Sequence, residues 1–120
     1  QRRDFTYVSD VVDIMIKLSK RKDLSGEIFN IGSGKSISIN YIIKLLGAKK
    51  VVKIPKRPGE PDITFANIKK ISKIMKWKPK VTIENGIKNL IKEKSFWKNA
   101  PLWNPIKIKF ATKLWFKYLT

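Results

Sequence analysis

The chain is 120 residues long, about one domain's worth of sequence, and 42% of its residues are hydrophobic, which is typical of a globular protein. It contains no cysteine and no histidine, which excludes disulfides, thiolate chemistry, imidazole bases and the usual zinc sites. No apolar run approaches the length of a membrane span.

The net charge of +18 arises from 27 lysines and arginines against 9 acidic residues. Such an excess favours a basic, non-catalytic module that binds nucleic acid or an anionic membrane. Two observations weaken this hypothesis. Arginine occurs only at Arg2, Arg3, Arg21 and Arg57, and the lysines are spread along the chain among many Ile and Asn residues, a bias typical of an A/T-rich coding sequence. We therefore expect a solvated lysine surface and no specific nucleic-acid partner, and we keep the basic module as the alternative.

The first part of the chain predicts an extended segment, a helix and a short strand. Residues 2–8 alternate polar and apolar side chains, which is typical of extended backbone. Ser9 or Asp10 can cap the helix that follows. Residues 27–31 predict a strand, which the GSG sequence at residues 32–34 ends. The apolar face of the helix is predicted to consist of Val11, Val12, Met15, Ile16 and Leu18.

Three further helices are predicted before the tail of the chain. Ser36 or Ser38 caps a helix over about residues 39–46. Asn67 caps a third helix, which ends at a WKP sequence, and Thr82 caps a fourth. We expect the third helix to turn Ile68, Ile71, Ile74 and Met75 inward, and the fourth Ile83, Ile87, Leu90 and Ile91.

A second strand is predicted at residues 51–54, and two short strands do not make a self-sufficient sheet. Residues 28–31 are apolar at three of four positions, which suits a strand covered on both faces. The missing strands must come from elsewhere. Together with Gln1 in place of Met at the first position, this favours an excerpt of a longer chain. We expect an α/β fold that is mostly helical with a few short strands.

The tail differs in character from the rest of the chain. Residues 100–105 predict a linker, and a helix follows in which Lys109, Lys113 and Lys117 form a narrow polar stripe at i,i+4 spacing. The wide apolar face needs a partner, and we favour the same protein or a sister subunit over an anionic membrane. That face consists of Ile106, Phe110, Leu114, Trp115, Tyr118 and Leu119.

Two motifs suggest chemistry that the rest of the sequence does not support. GSGKS at residues 32–36 matches the end of a P-loop, but the glycine required five positions before Gly34 is Phe29, so we favour a tight turn. Tyr41 and Lys44 are three apart and do not form a Tyr-x-x-x-Lys pair. We expect no catalytic, cofactor-binding or metal-binding residues within this chain.

The stretch PKRPGEPD at residues 55–62 contains three prolines and a glycine, which predicts a stiff loop. It carries one guanidinium and two carboxylates, from Arg57, Glu60 and Asp62. Such a loop can hold a phosphate with its arginine and a sugar hydroxyl with its carboxylate. A surface turn with solvated charges is the alternative from composition alone.

Four ordered blocks carry a resemblance to a known family: RDFTYVSD at residues 3–10, FNIGSG at 29–34, KRPGEPD at 56–62 and WKP at 77–79. The set resembles the C-terminal third of extended short-chain dehydrogenase/reductases. Within these it is most similar to the NAD-dependent nucleotide-sugar epimerase/dehydratase family, of the UDP-glucose 4-epimerase type. The resemblance covers about residues 1–95, and the later tail is similar to an extension found in some bacterial members.

The resemblance implies that this chain supplies only part of an enzyme. In the family an N-terminal Rossmann domain binds NAD and carries the catalytic Ser/Thr and Tyr-x-x-x-Lys, whereas the C-terminal part builds the nucleotide-sugar pocket. Residues 1–99 would be that nucleotide-sugar-binding portion, and residues 100–120 a linker and an amphipathic helix. The implied partners are a nucleotide-sugar substrate and the missing Rossmann domain or a partner chain. The full-length enzyme would be a cytoplasmic homodimer, and this fragment alone would not bind NAD.

The resemblance also assigns the candidate site residues. Arg3 and Arg57 match arginines that contact the diphosphate, and Glu60 matches an acidic residue, often Asp, that hydrogen-bonds the ribose hydroxyls. Asp10 matches a polar position that we interpret first as a helix cap. Two arginines from separate segments suit a diphosphate, at about 1.5–3 kcal/mol per charge-assisted contact. We expect a fragment that binds the nucleoside diphosphate of a UDP- or dTDP-sugar and is inactive without the Rossmann domain.

Overall fold

The computed structural model describes residues 1–118, without the side chain of Lys94. These residues are mostly helical and carry one small sheet, which confirms the coarse fold expected from the sequence. Short 3-10 turns lie at Lys22–Leu24 and Lys94–Trp97. No helix in the described part of the chain is long and apolar enough to cross a membrane. The elements are β1 (Arg2–Arg3), α1 (Val8–Ser19), β2 (Ile37–Ser38), α2 (Ile39–Leu45), α3 (Lys69–Met75), α4 (Ile83–Lys92) and α5 (Pro105–Tyr118).

Strand β1 lies between two segments that are distant in sequence. On one side it pairs antiparallel with β2, with Arg2 opposite Ser38. On the other side the backbone of Arg2 donates to Asp62 O at 2.8 Å and accepts from Thr64 N at 3.1 Å, a parallel bridge centred on Ile63. The bridge joins the first residues of the chain to the end of the loop at residues 55–62.

The centre of the core is formed by Ile14 of α1, Ile71 of α3 and Trp77, all of which are buried. These side chains come from segments far apart in sequence, so burying them joins α1 to α3 and to the chain that follows. Partly buried apolar residues surround them: Leu18, Phe29, Ile31, Ile68 and Met75. Ile87 of α4 is also buried.

The predicted apolar face of α1 is wrong in part. Ile14, absent from the prediction, is the buried residue, with Val11 and Leu18 partly buried beside it. The reason is geometric: residues 11, 14 and 18 follow the i, i+3, i+7 spacing of one helix face. The outer face carries the remaining apolar residues, Val8, Val12, Met15 and Ile16, all of which are exposed.

Asp10 does not cap α1. The N-cap is Tyr7, which makes no side-chain cap hydrogen bond, so the prediction that Ser9 or Asp10 caps this helix is wrong. The Asp10 carboxylate is 4% exposed and accepts the backbone N–H groups of Lys80 at 3.1 Å and Val81 at 3.0 Å. Because these N–H groups lie in an irregular segment without a ladder partner, a buried carboxylate is a suitable acceptor for them. Asp10 thus attaches α1 to the chain before α4.

The predicted strands at residues 27–31 and 51–54 are also wrong. Within residues 1–118 neither segment pairs with another strand. An extended segment becomes a strand only when a neighbour satisfies its N–H and C=O groups, and the described chain offers these segments none. Ile28 is 83% exposed, and Val51, Val52 and Ile54 are exposed as well.

Of the predicted caps of the later helices, those by Ser38 and Thr82 are confirmed, whereas Asn67 does not occupy the N-cap position of α3. Ser38 Oγ accepts from Tyr41 N at 3.2 Å at the start of α2, and Thr82 Oγ1 accepts from Asn85 N at 3.3 Å at the start of α4. Asn67 Oδ1 accepts from Lys69 N at 3.1 Å, although Ile68 occupies the N-cap position of α3. These motifs act through backbone groups two or three residues away, which is why local sequence predicts them well.

Candidate functional site

Arg3, Arg57 and Glu60 form one ionic cluster, called the Glu60 cluster below. Arg57 donates to Glu60 through two atoms: Nε lies 2.9 Å from Oε2, and Nη2 lies 2.6 Å from Oε1. Arg3 Nη2 lies 3.2 Å from the same Oε1. The three residues singled out from the sequence are therefore in direct contact.

The turn inside the stiff loop explains how Arg57 and Glu60 meet. Glu60 N donates to Arg57 O at 3.3 Å, and Gly59 between them has a φ of +70°, a left-handed conformation that favours glycine. Pro58 and Pro61 restrict the backbone on either side of that turn. This places two side chains three residues apart on the same side of the loop, where they form a bidentate pair.

Arg3 reaches the cluster from β1. Its Nη1 donates to Arg2 O at 2.9 Å and to Asp62 O at 3.3 Å, while Nη2 faces Glu60. The bridge between Arg2 and Ile63 holds the two backbones at this separation. The position of Arg3 thus depends on the contact between β1 and the end of the loop.

The cluster keeps its carboxylate ionised. Glu60 is 12% exposed, and its pKa is lowered to about 2, mainly by the hydrogen bonds from Arg57, with further contributions from Gln1 and Arg3. The hydrogen bond to Glu60 in turn raises the pKa of Arg57. Two guanidiniums and one carboxylate leave a net positive charge, which is suited to an anionic ligand.

Donors remain available in the cluster. Arg57 uses Nε and Nη2 on Glu60, which leaves Nη1 with no hydrogen bond to the described residues. Glu60 receives three contacts from the two arginines and a further hydrogen bond from Gln1, while a carboxylate has about four acceptor positions. A phosphate would therefore approach the Arg57 side of the cluster, and a hydroxyl would compete with the arginines for Glu60.

Helix α5 returns to the same loop, a relationship that the sequence does not signal. Trp115 Nε1 donates to Pro58 O at 3.1 Å, and Arg57 Cζ lies 4.3 Å from the centroid of the Trp115 ring system. The guanidinium that Glu60 holds at its edge thus lies over the indole ring, within cation–π distance. The expectation that the tail packs on the same protein is met at Trp115 through these two contacts, although its side chain stays 37% exposed. Ile106, Phe110, Leu114 and Tyr118 are more exposed still, and Leu119 lies outside the described residues.

The GSG loop at residues 32–34 is a structural turn, as the sequence favoured. The Asp4 carboxylate accepts from Ser33 N at 2.8 Å, Gly34 N at 3.0 Å and Ala66 N at 3.0 Å. Partial burial raises the pKa of Asp4, but these hydrogen bonds outweigh it and lower the pKa overall. Because the N–H groups of Ser33 and Gly34 already have a protein carboxylate as acceptor, this loop does not fit the phosphates of NAD.

Two clefts of the described chain are lined by residues outside the Glu60 cluster. One cleft of about 610 Å³ lies between the GSG loop and residues 78–84 and is lined by Phe5, Lys35, Lys78 and Lys80 among others. A second, of about 480 Å³, lies against α4. Neither of these two clefts is lined by a residue of the Glu60 cluster.

The two-stranded sheet, the Asp4-bound GSG turn and the arginine-bearing Pro/Gly loop all lie within the first 90 residues, the part of the chain that a family profile matches. The profile of the GDP-mannose 4,6 dehydratase family matches residues 1–90. The chain belongs to the NAD-dependent epimerase/dehydratase family.

Curated relatives match over a similar stretch. An uncharacterized protein of Methanocaldococcus jannaschii is 44% identical over 91 residues, covering 72% of this chain and 28% of the relative. A UDP-glucuronate 4-epimerase of Thermodesulfobacterium geofontis is 38% identical, covering 76% and 29%. UDP-glucose 4-epimerase 1 of Oryza sativa is 33% identical, covering 73% and 28%. The chain thus spans less than a third of the length of these relatives. No solved structure matches it.

Proposed function

We propose that this chain is the nucleotide-sugar-binding portion of an NAD-dependent epimerase/dehydratase and that the Glu60 cluster binds the nucleoside diphosphate of a UDP- or dTDP-sugar. The observation that carries the proposal is the convergence of Arg3 and Arg57 on Glu60 from separate segments. Arg57 and Arg3 would contact the diphosphate, and Glu60 would accept from the ribose hydroxyls. Residues 1–99 are the substrate-binding part of this proposal, and the fold is the C-terminal portion of an extended Rossmann-type enzyme.

Hydride chemistry belongs to another part of the enzyme in this proposal. NAD, when bound by an N-terminal Rossmann domain or partner chain, supplies the hydride acceptor, and the present chain alone is inactive. The length of the relatives supports a further domain. So does the outer face of α1, since Val8, Val12, Met15 and Ile16 form an exposed apolar row of the kind that a second domain covers. We place the assembled enzyme, as a homodimer, in the cytoplasm.

The test is UDP binding by titration calorimetry with single-site variants. Arg57→Ala and Arg3→Ala should each weaken UDP binding by about tenfold or more, because each removes a charge-assisted contact worth about 1.5–3 kcal/mol. Arg21→Ala is the matched control, since Arg21 also pairs with a carboxylate, that of Asp23, but on the distant turn after α1. If Arg57→Ala and Arg21→Ala bind UDP equally well, the proposed site is wrong.

The alternative, a basic module for nucleic acid or anionic membrane, has one observation in its favour. The exposed apolar row of α5 (Ile106, Phe110, Leu114 and Tyr118) is flanked by exposed lysines. A helix of this kind can lie on an anionic surface. Tight, salt-sensitive binding to DNA or to phosphatidylserine vesicles, without UDP binding, would favour this alternative.

A further inference from the structure

We propose that Trp115 is a positioning residue for Arg57, so that helix α5 sets the affinity of the Glu60 cluster for a nucleoside diphosphate. This role rests on the function proposed above. It also goes beyond the family match, which ends at residue 90, whereas α5 begins at Pro105. The C-terminal extension would thereby contribute to a site whose other residues lie in the matched part of the chain.

The contacts define how the indole acts. Glu60 holds Arg57 through Nε and Nη2, which fixes one edge of the guanidinium but allows the plane to tilt. Arg57 Cζ lies over the Trp115 ring, 4.3 Å from its centroid, and in this proposal the cation–π contact restricts that tilt. The bond from Trp115 Nε1 to Pro58 O, at 3.1 Å, attaches the indole to the loop that carries Arg57. The ring is therefore attached to the same loop backbone that carries Arg57.

The orientation matters because Arg57 is a long side chain on an exposed loop. A free arginine must lose rotamer freedom when a ligand binds, and holding it in place beforehand removes that cost. The rest of α5 is suited to a supporting role: Ile108 and Thr112, on the same side of the helix as Trp115, are partly buried. Phe110, on the opposite side, is exposed.

The first arm of the experiment needs no ligand. The heteronuclear NOE of the Arg57 Nε–H group is measured in the 120-residue chain and in Trp115→Ala, Trp115→Phe and Phe110→Ala. We expect an NOE value typical of a rigid side chain in the unmodified chain and in Phe110→Ala, and one typical of a mobile side chain in Trp115→Ala. Trp115→Phe should give an intermediate value, because it keeps a ring face but lacks the N–H donor. An Arg57 signal that is equally rigid in Trp115→Ala overturns the proposal.

The second arm compares UDP with uridine as probes for the same variants. Trp115→Ala should weaken UDP binding by about 3- to 10-fold and leave uridine binding unchanged, because only the diphosphate meets Arg57. In an Arg57→Ala background the tryptophan substitution should have no further effect. Equal losses for UDP and uridine, or an unchanged UDP affinity in Trp115→Ala, overturn the positioning role.

The two failures are distinguishable. If Arg57→Ala leaves UDP binding intact, the proposed function fails, whatever Trp115 does. If Arg57→Ala abolishes UDP binding but Trp115→Ala does not weaken it, the site stands and the role of Trp115 is wrong.

Discussion

Arg3 and Arg57 share one acceptor atom, Oε1 of Glu60, although one lies on the first strand and the other on a loop in the middle of the chain. Two cations at one oxygen repel each other, and the carboxylate between them compensates for that repulsion. Removing the carboxylate should therefore disturb both arginines. The same arrangement makes the cluster a source of pH-dependent stability.

The pH dependence follows from the pKa of Glu60, which is lowered from 4.5 to about 2, chiefly by Arg57. A carboxylate with a depressed folded-state pKa adds stability that is fully present above its unfolded pKa and is lost as the pH falls towards the folded value. Between pH 4.5 and about 2, the free energy of unfolding should fall more steeply for the unmodified chain than for Glu60→Gln. Urea denaturation at stepped pH measures this difference.

Arg57→Ala is the second variant in that experiment, because it removes the main cause of the lowered pKa while leaving the carboxylate in place. As the pH decreases, the free energy of unfolding of Arg57→Ala should also fall less steeply than that of the unmodified chain. If the free energy of unfolding falls equally steeply with pH in all three proteins between pH 4.5 and about 2, Glu60 is not a strongly paired carboxylate.

The buried carboxylate of Asp10 should be important for stability. Asp10→Ala leaves the N–H groups of Lys80 and Val81 without their acceptor, and we expect a loss of about 1.5–3 kcal/mol in the free energy of unfolding. Asp23→Ala is the control, because Asp23 is exposed and forms a surface ion pair with Arg21. If the two alanine variants unfold at the same urea concentration, Asp10 does not hold α1 to the chain before α4.

Gly32 is required by close packing. A Cβ added there would lie 2.5 Å from Ala66 Cβ and 2.7 Å from Asp4 Oδ2, so Gly32→Ala should destabilise the chain by about 1–3 kcal/mol. Adding Ala66→Gly removes the nearer clash and should restore part of that loss. Thermal unfolding of the single and double variants tests both statements. If the double variant is no more stable than Gly32→Ala, the contact with Ala66 is not the cause of the destabilisation.

Salt dependence separates the proposed function from the basic-module alternative. Binding to DNA through many dispersed lysines would weaken by orders of magnitude between about 50 and 200 mM salt. Binding of UDP through two arginines should weaken far less over that range, since fewer charges are involved. Fluorescence anisotropy with duplex DNA and calorimetry with UDP provide the comparison. Tight DNA binding at the lower salt concentration that weakens steeply at the higher one, without UDP binding, would count against the nucleotide-sugar proposal.

Local sequence was sufficient for features that act over a few residues. The Ser38 and Thr82 caps depend on backbone groups three positions away, and the turn from Arg57 to Glu60 depends on Gly59 and its flanking prolines. The strands predicted at residues 27–31 and 51–54 failed because pairing needs a neighbour that local pattern cannot supply. The predicted buried face of α1 was wrong in part for a related reason. The helix has apolar residues on two sides, and packing against α3 and Trp77 decides that Ile14 is buried.

The sequence by itself determined the family, the helical character and the candidate residues Arg3, Arg57 and Glu60. It did so because motif order, capping and turn chemistry are encoded by neighbouring residues. Only the tertiary structure decided that Asp10 binds the backbone of Lys80 and Val81, and that Trp115 lies on Arg57. Both are contacts between distant segments, and their partners are set by how the whole chain packs.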